Sequence, residues 1–81
     1  MMEKGRFSAL LSVIIPPVVG LIARRKDIAE VAASEAFYRS GVFAKLSDEK
    51  SKLWHYSAET LYSLYDDEVS GREVEYPEEA F

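Results

Sequence analysis

The residues of this 81-residue chain that could do chemistry are few and scattered. His55 is the one side chain whose unperturbed pKa lies near neutrality, and it has neither a cysteine nor a recognisable nucleophile motif with it. Ser57 is close to His55 in sequence, but it is better explained as the N-cap of a helix. We therefore expect no catalytic residue and no enzymatic activity.

Metal and phosphate sites are not indicated either. Asp66, Asp67 and Glu68 are adjacent, so their carboxylates do not converge on one ion, and the four glycines are isolated instead of forming a phosphate-cradling loop. The chain has no cysteine, which excludes a disulfide scaffold and a thiolate zinc site and is typical of a reducing compartment. We expect no cofactor, no metal and a cytoplasmic location.

Charge is distributed unevenly along the chain, whose formal net charge is −4. Residues up to Leu46 carry a net charge of +3, whereas Ser47 to Phe81 carry −7. This asymmetry favours self-association or the binding of a basic partner by the acidic half, although ordinary solvated faces explain it equally well. The last predicted helix has acidic residues and no Lys or Arg, so nucleic-acid binding is not expected.

A run of 17 residues without a charge, Phe7 to Ala23, lies between Arg6 and the basic cluster Arg24 to Lys26. As a helix it would extend about 25 Å, less than the roughly 30 Å of a bilayer core. It also holds most of the large aliphatic side chains, so the other segments need it to pack on. We expect a buried core helix, with a membrane span or signal sequence as the alternative.

Pro16 and Pro17 interrupt this run. Each lacks the backbone N–H of a helix interior, and each ring opposes the carbonyl four residues earlier. The sequence predicts a kink or break near Ile15, with a second helical piece beginning at Pro17. The break would form either a ligand or partner groove lined by the freed carbonyls or a simple corner between two short helices.

The next helix has the clearest start signal, because Asp27 and Glu30 form an Asp version of the capping box. It is predicted over residues 28 to 39 or 40, with Gly41 ending it in the left-handed conformation. One face carries small residues and a phenylalanine, and the other carries larger apolar residues that predict a second covered surface and hence a central helix. The two sets are Ala29, Ala32, Ala33, Ala36 and Phe37, then Ile28, Val31 and Tyr38.

The second half of the chain predicts two further helical segments. Val42, Phe43 and Leu46 are spaced as one helical turn, followed by a polar loop or capped turn and by Trp54, an anchor whose indole N–H needs an acceptor. The last helix, Ala58 to Val69, is predicted with Ser57 as N-cap and an apolar stripe. Gly71 should end it.

The end of the last helix carries Asp66, Asp67 and Glu68, where like charges meet the negative end of the helix dipole. We expect the basic cluster after the first helix, a partner's basic residues or solvent to compensate them. In the tail, Val74 and Tyr76 alternate with glutamates, which predicts an extended segment. The tail could lie across the helices, pair with a second copy, or add to a partner's sheet edge.

The chain resembles a group of short uncharacterised proteins from Gram-positive bacteria along nearly its full length. The resemblance lies in IIP at 14–16, AFYRS at 36–40, LSDE at 46–49, LWHYS at 53–57 and EYPEE at 75–79. It implies a compact helical fold and no particular activity. Similar small proteins are sometimes encoded beside toxin-like genes, which implies an antitoxin-like role as an alternative.

Together these patterns predict an all-α bundle of three to five short helices over residues 1–71, with an extended acidic tail over 72–81. The predicted function is a non-catalytic protein interaction module that forms a homo-oligomer. The alternatives are an antitoxin-like binder of a basic partner and a small membrane-associated protein. The predicted partner-binding residues combine aromatic surface with the acidic half: Tyr62, Tyr65, Asp66, Asp67, Glu68, Val74, Tyr76 and Phe81.

Overall fold

The computed structural model describes residues 4–74 and residue 76, and within them the secondary structure is helical. The prediction of an all-α bundle with three to five short helices is confirmed. One helix is much longer than the others, since its 23 residues extend about 34 Å along a molecule 37 Å long. The elements are α1 (Lys4–Lys26), α2 (Glu30–Tyr38), α3 (Gly41–Leu46) and α4 (Ala58–Val69), with 3-10 turns Glu49–Ser51 and Leu53–His55 between α3 and α4.

The sequence predicts a kink or break of the first helix near Ile15, and the break, with a second helical piece beginning at Pro17, is wrong. Pro16 and Pro17 lie inside α1, which continues to Lys26. The residues that follow the prolines are held by tertiary contacts, because Val18 and Ile22 are completely buried in the core where α1 meets α2 and α4. Burying such side chains contributes about 1.5–3 kcal/mol each, which offsets the lost backbone hydrogen bonds. Packing here outweighs the local preference of proline.

Asp27 ends α1 instead of capping α2. Its φ of 55° lies in the left-handed region, which Asp tolerates better than most residues. The N–H of Ile28 donates to the Ala23 carbonyl at 3.0 Å, which is the long bond of a Schellman motif. The capping-box prediction is wrong because the short connection uses Asp27 to close the longer helix, and Ala29 at the N-cap of α2 gives no side-chain hydrogen bond.

Gly41 begins α3, so the prediction that it ends α2 in the left-handed conformation is wrong. Ser40 lies at this corner with extended backbone, and its Oγ accepts a hydrogen bond from the Phe43 N–H at 3.1 Å. The same hydroxyl donates to the Phe37 carbonyl at 2.6 Å. Because one buried serine satisfies groups at both helix ends, the chain turns here without a left-handed glycine.

The core lies where α1, α2 and α4 meet, closed at one end by α3 and the turns. Phe37 is completely buried at its centre, with ring centroids 6.0 Å from Tyr65 and 5.8 Å from Phe43. Every helix contributes to the buried set, so one continuous core stabilises the described part of the chain. Its members are Val18, Val19, Leu21, Ile22, Ala33, Phe37, Val42, Leu46, Leu53, Leu61, Tyr62, Leu64 and Tyr65.

The second covered surface predicted for α2 is left largely exposed by the described part of the chain. Ala33 and Phe37 face the core, as expected, but Ile28, Val31 and Tyr38 keep 40%, 72% and 50% of their surface exposed. On this side Tyr38 contacts Phe43 of α3, with ring centroids 4.8 Å apart, but α2 makes most of its contacts with α1. The prediction that α2 is the central helix is therefore wrong.

The bounds predicted for α4 are confirmed at both ends. The Oγ of Ser57 accepts a hydrogen bond from the Thr60 N–H at 3.1 Å, as an N-cap does. At the other end Gly71 has a φ of 77°, and the N–H of Arg72 donates to the Asp67 carbonyl at 2.9 Å. A left-handed glycine therefore ends α4 in a second Schellman motif.

The connection between α3 and α4 closes one end of the core. Leu53 is buried and Trp54 is half-buried beside it, with the indole N–H donating to the Glu49 carbonyl at 3.0 Å. Asp48 caps the first 3-10 turn by accepting from the Lys50 N–H at 3.0 Å. The predictions of a capped turn and of an anchoring tryptophan are confirmed.

Candidate interaction site

The acidic end of α4 has partners inside the chain. Lys26, the last residue of α1, forms an ion pair with Asp66. Arg72, just after α4, donates to Asp66 and to Asp67 at 2.9 Å each. We call Lys26, Asp66, Asp67 and Arg72 the charge cluster. The prediction that the basic residues after the first helix compensate these acids is confirmed through Lys26.

The contacts within the charge cluster shift the pKa values of its members. The hydrogen bond from Lys26 lowers the pKa of the Asp66 carboxyl, with a smaller contribution from Arg72. The same hydrogen bond raises the pKa of the Lys26 ammonium. Both groups are therefore charged at neutral pH, but they lie near the surface, where solvent screens such pairs.

Glu68 has a structural role at the start of α3. Its carboxylate accepts hydrogen bonds from the backbone N–H groups of Gly41 at 2.8 Å and Val42 at 3.0 Å. The first N–H groups of a helix have no partner inside the helix, so this carboxylate from α4 satisfies two of them. A partner that captured Glu68 would leave them unpaired.

The two tyrosines predicted at an exposed rim belong to the core. Tyr62 and Tyr65 keep only 9% and 4% of their surface exposed, so the prediction that they are spare aromatic surface is wrong. The guanidinium of Arg25 covers the Tyr62 ring at 5.0 Å, and burial raises the pKa of the Tyr65 hydroxyl. The i, i+3, i+4 stripe of α4 places both rings inward.

The described part of the tail lies against the helices. Val74 and Tyr76 are half-buried and pack on the core, and the Lys45 ammonium lies 4.9 Å from the Tyr76 ring centroid. This placement agrees with the first of the three arrangements considered for the tail. The partner-binding prediction for Phe81 lies outside the described residues.

An apolar groove lies between α1 and α2, at the side of α2 where the sequence predicts a second covered surface. Its volume is about 430 Å³, and Glu30, Ser34 and Glu35 also line it on the α2 side. Val13 on α1 is 70% exposed but does not line this groove. We define the α1–α2 surface as the apolar residues that line it, Ile15, Pro16, Val19, Val31 and Tyr38.

Burial along α1 is uneven. Its second half is buried through Val18 to Ile22, but Val13 in its first half is not, and only 28% of its most apolar 18-residue window is buried. The prediction of a buried core helix holds for the second half only. By length and composition alone, Gly5–Lys26 could also cross a membrane, since its most apolar 18-residue window has a mean hydropathy of 1.9.

The sequence held one signal for this surface. Val31 and Tyr38 stand among Glu30 and Ser34 on the side of α2 that faces away from its alanines. Large apolar residues on a polar side predict a covering surface. Only the packing shows that residues 4–74 and 76 do not supply one.

His55 lies between two aromatic neighbours. Its ring stacks on Tyr56 with centroids 4.7 Å apart, and it meets Trp54 edge-to-face with centroids 5.4 Å apart. Among residues 4–74 and 76, no group of three or more His, Cys, Asp or Glu side chains is placed to hold a metal ion.

No family model, curated protein or solved structure matches this chain. The resemblance to short proteins of Gram-positive bacteria stays a prediction. Interpretation of function therefore rests on the residues and their packing.

Proposed function

We propose that the protein is a non-catalytic protein interaction module that associates with itself. The observation that carries the proposal is the α1–α2 surface, where Val31 is 72% exposed and lines an apolar groove with Ile15, Pro16 and Val19 of α1. Scattered exposed apolar residues are normal, but a contiguous apolar patch with polar residues at its rim is typical of an interaction site. Glu30 and Glu35 supply that rim.

The antitoxin-like alternative, in which the acidic half binds a basic partner, has less support. Asp66 and Asp67 are already paired with Lys26 and Arg72, and Glu68 accepts two backbone hydrogen bonds. A basic partner would have to displace these internal contacts. The free energy of binding would therefore be less favourable by the free energy needed to break these contacts.

The membrane alternative draws on the length and hydropathy of α1. Full insertion would remove Val18 and Ile22 from the core, where both are completely buried. The rest of the core would lose contacts that a chain of this size cannot easily replace. Self-association covers the exposed side of α1 and leaves its buried side in place.

Sedimentation equilibrium of the full chain in detergent-free buffer tests the proposal. We expect a reversible dimer, and Val31→Lys should weaken it by at least about tenfold because it places a charge in an apolar interface. The matched control is Ser63→Lys on the exposed side of α4. Both changes add one positive charge near a carboxylate four residues away, so both should keep the helix.

Three results would overturn the proposal. A wild-type chain that stays monomeric at millimolar concentration would exclude self-association. Equal weakening by Val31→Lys and Ser63→Lys would exclude the α1–α2 surface. A chain that sediments with vesicles and needs detergent to stay in solution would instead support membrane association. Circular dichroism of each variant establishes that it is folded.

A further inference from the structure

The groove of the α1–α2 surface has residues at helical spacing on both of its walls. On α2, Val31, Ser34 and Tyr38 are three and four residues apart, so one side of the helix lines the groove for two turns, or about 10 Å. On α1, Ile15 and Val19 are four residues apart and share one side in the same way. A third helix suits such a pair of walls, because its side chains fill the space between theirs.

The polar groups along the groove accept hydrogen bonds and carry negative charge. Glu30 and Glu35 are exposed on the α2 wall, and neither carboxylate forms an ion pair with another described residue. Among the described residues that line the groove there is no Lys or Arg. Arg39 is four residues after Glu35 on α2, but it does not pair with it. The charges of the walls therefore favour an occupant with positive charge.

Pro16 adds a further acceptor at the α1 wall. It lines the groove and has no N–H, so the Ser12 carbonyl one turn earlier lacks its regular helical donor. A Lys or Arg side chain has several N–H donors and no acceptor. Such a side chain matches both the carboxylates of the α2 wall and this carbonyl.

The apolar part of the groove needs a second property of the occupant. Val31 and Tyr38 keep 72% and 50% of their surface exposed, whereas Val19 between the walls is buried. Covering Val31 and Tyr38 requires apolar side chains that enter the groove. A helix with one apolar side and basic residues beside it meets both requirements.

We propose that the groove of the α1–α2 surface binds a basic amphipathic helix of another protein. The apolar side chains of that helix lie against Ile15, Val19 and Val31, and its Lys or Arg residues pair with Glu30 and Glu35. The proposal goes beyond self-association, because it assigns to this surface a partner other than a second copy. The two occupants cover the same residues and therefore exclude each other.

A pair of synthetic helices tests the chemistry of the partner. The first is a peptide of about four turns with leucines three and four residues apart on one side and lysines on both flanks. The second has glutamates in place of the lysines. Isothermal titration calorimetry measures both, at a concentration where the chain is monomeric. We expect the basic peptide to bind at least about tenfold more tightly, because the carboxylates of the groove repel the acidic one.

Removal of the two carboxylates tests whether they select the positive charge. Glu30→Gln combined with Glu35→Gln should weaken binding of the basic peptide about two- to thirtyfold, since each exposed ion pair contributes modestly. The matched control is Glu59→Gln combined with Glu73→Gln, which removes the same charge at exposed positions outside the groove. This control should change binding by less than about twofold, because solvent and salt screen distant charges.

Two valines of nearly equal exposure test the location. Val31 lines the groove and is 72% exposed, whereas Val13 lies outside the groove and is 70% exposed. Val31→Ser should weaken binding of the basic peptide about three- to twentyfold, because the bound helix buries this side chain. Val13→Ser should leave binding within about twofold of wild type. Circular dichroism of each variant establishes that it is folded.

The outcomes separate this proposal from self-association. A dimeric chain that does not bind the basic peptide at millimolar concentration, or that binds both peptides equally, overturns the helix site and leaves self-association standing. A monomeric wild type that binds the basic peptide through the carboxylates and Val31 supports the helix site and overturns self-association. Equal effects of the two Gln variants, or of the two Ser variants, place the peptide elsewhere on the chain and overturn the helix site.

Discussion

The outer side of α1 and the acidic end of α4 differ in whether the chain itself supplies their partners. The difference is the opposite of what their compositions suggest. The acidic end has a dense cluster of charge, yet Asp66, Asp67 and Glu68 all have partners within the chain. The outer side of α1, where Ala9, Val13 and Pro17 are exposed, has no charge between Arg6 and Arg24 and is not covered by the described part of the chain. The proposed self-association therefore draws on the apolar region and not on the acidic end.

The difference shows that a charge run is a poor indicator of a binding site when its own chain has counterions nearby. Lys26 and Arg72 reach Asp66 because the two Schellman turns, at the ends of α1 and α4, bring them beside it. An exposed apolar side chain has no such local remedy. It can be covered only by packing.

The largest expected effect is a difference in the free energy of unfolding between substitutions on the buried side and on the exposed side of α1. Ile22→Ala removes a completely buried side chain and should lower the free energy of unfolding by about 2–5 kcal/mol. Val13→Ala, at a 70% exposed position, should change it by less than about 0.5 kcal/mol. Urea denaturation followed by circular dichroism, at a concentration where the chain is monomeric, measures both. Equal losses would mean that the outer side is also packed in the monomer.

A smaller loss of stability should show which acidic residue at the end of α4 stabilises the fold. Glu68→Ala leaves the N–H groups of Gly41 and Val42 without their acceptor and should cost about 1–2 kcal/mol. Amide hydrogen exchange at these two positions should become faster. Glu59→Ala is the control, because the Arg25–Glu59 pair at 2.5 Å is largely exposed and should contribute less. A larger loss for Glu59→Ala would contradict the capping role of Glu68.

The smallest effect concerns pH. The pKa of Asp66 is lowered in the folded chain, so its contribution to stability is present above the usual carboxyl pKa of about 3.9 and is lost as pH falls through the lowered value. Asp66→Asn should therefore reduce the drop in melting temperature between neutral and strongly acidic pH. Thermal denaturation across that range measures it.

Lys26→Gln provides the control for the charge cluster. It removes the hydrogen bond that is the main cause of the lowered pKa of Asp66, so it should weaken the acid sensitivity in the same direction. If Asp66→Asn flattened the pH profile and Lys26→Gln did not, Arg72 would be the dominant partner. No flattening in either variant would contradict the charge cluster as a source of stability.

Much of the fold was predictable because its signals are local. Ser57 and Gly71 mark the two ends of α4, and the spacing of Leu61, Leu64 and Tyr65 defines its buried stripe. A side-chain cap, a left-handed glycine and a helical period depend on residues within one or two turns. The candidate site was less predictable, since Tyr62 and Tyr65 proved to be buried.

The sequence by itself determined the helical class, the uncharged stretch of α1 and the bounds of α4. Only the tertiary structure decided that α1 continues through Pro16 and Pro17, that Asp27 closes a helix, and that Gly41 opens one. These outcomes depend on contacts between segments distant in sequence, whose burial outweighs local preference. The tertiary structure also decided which apolar side of a helix stays exposed. A chain with so few helices cannot cover every apolar side.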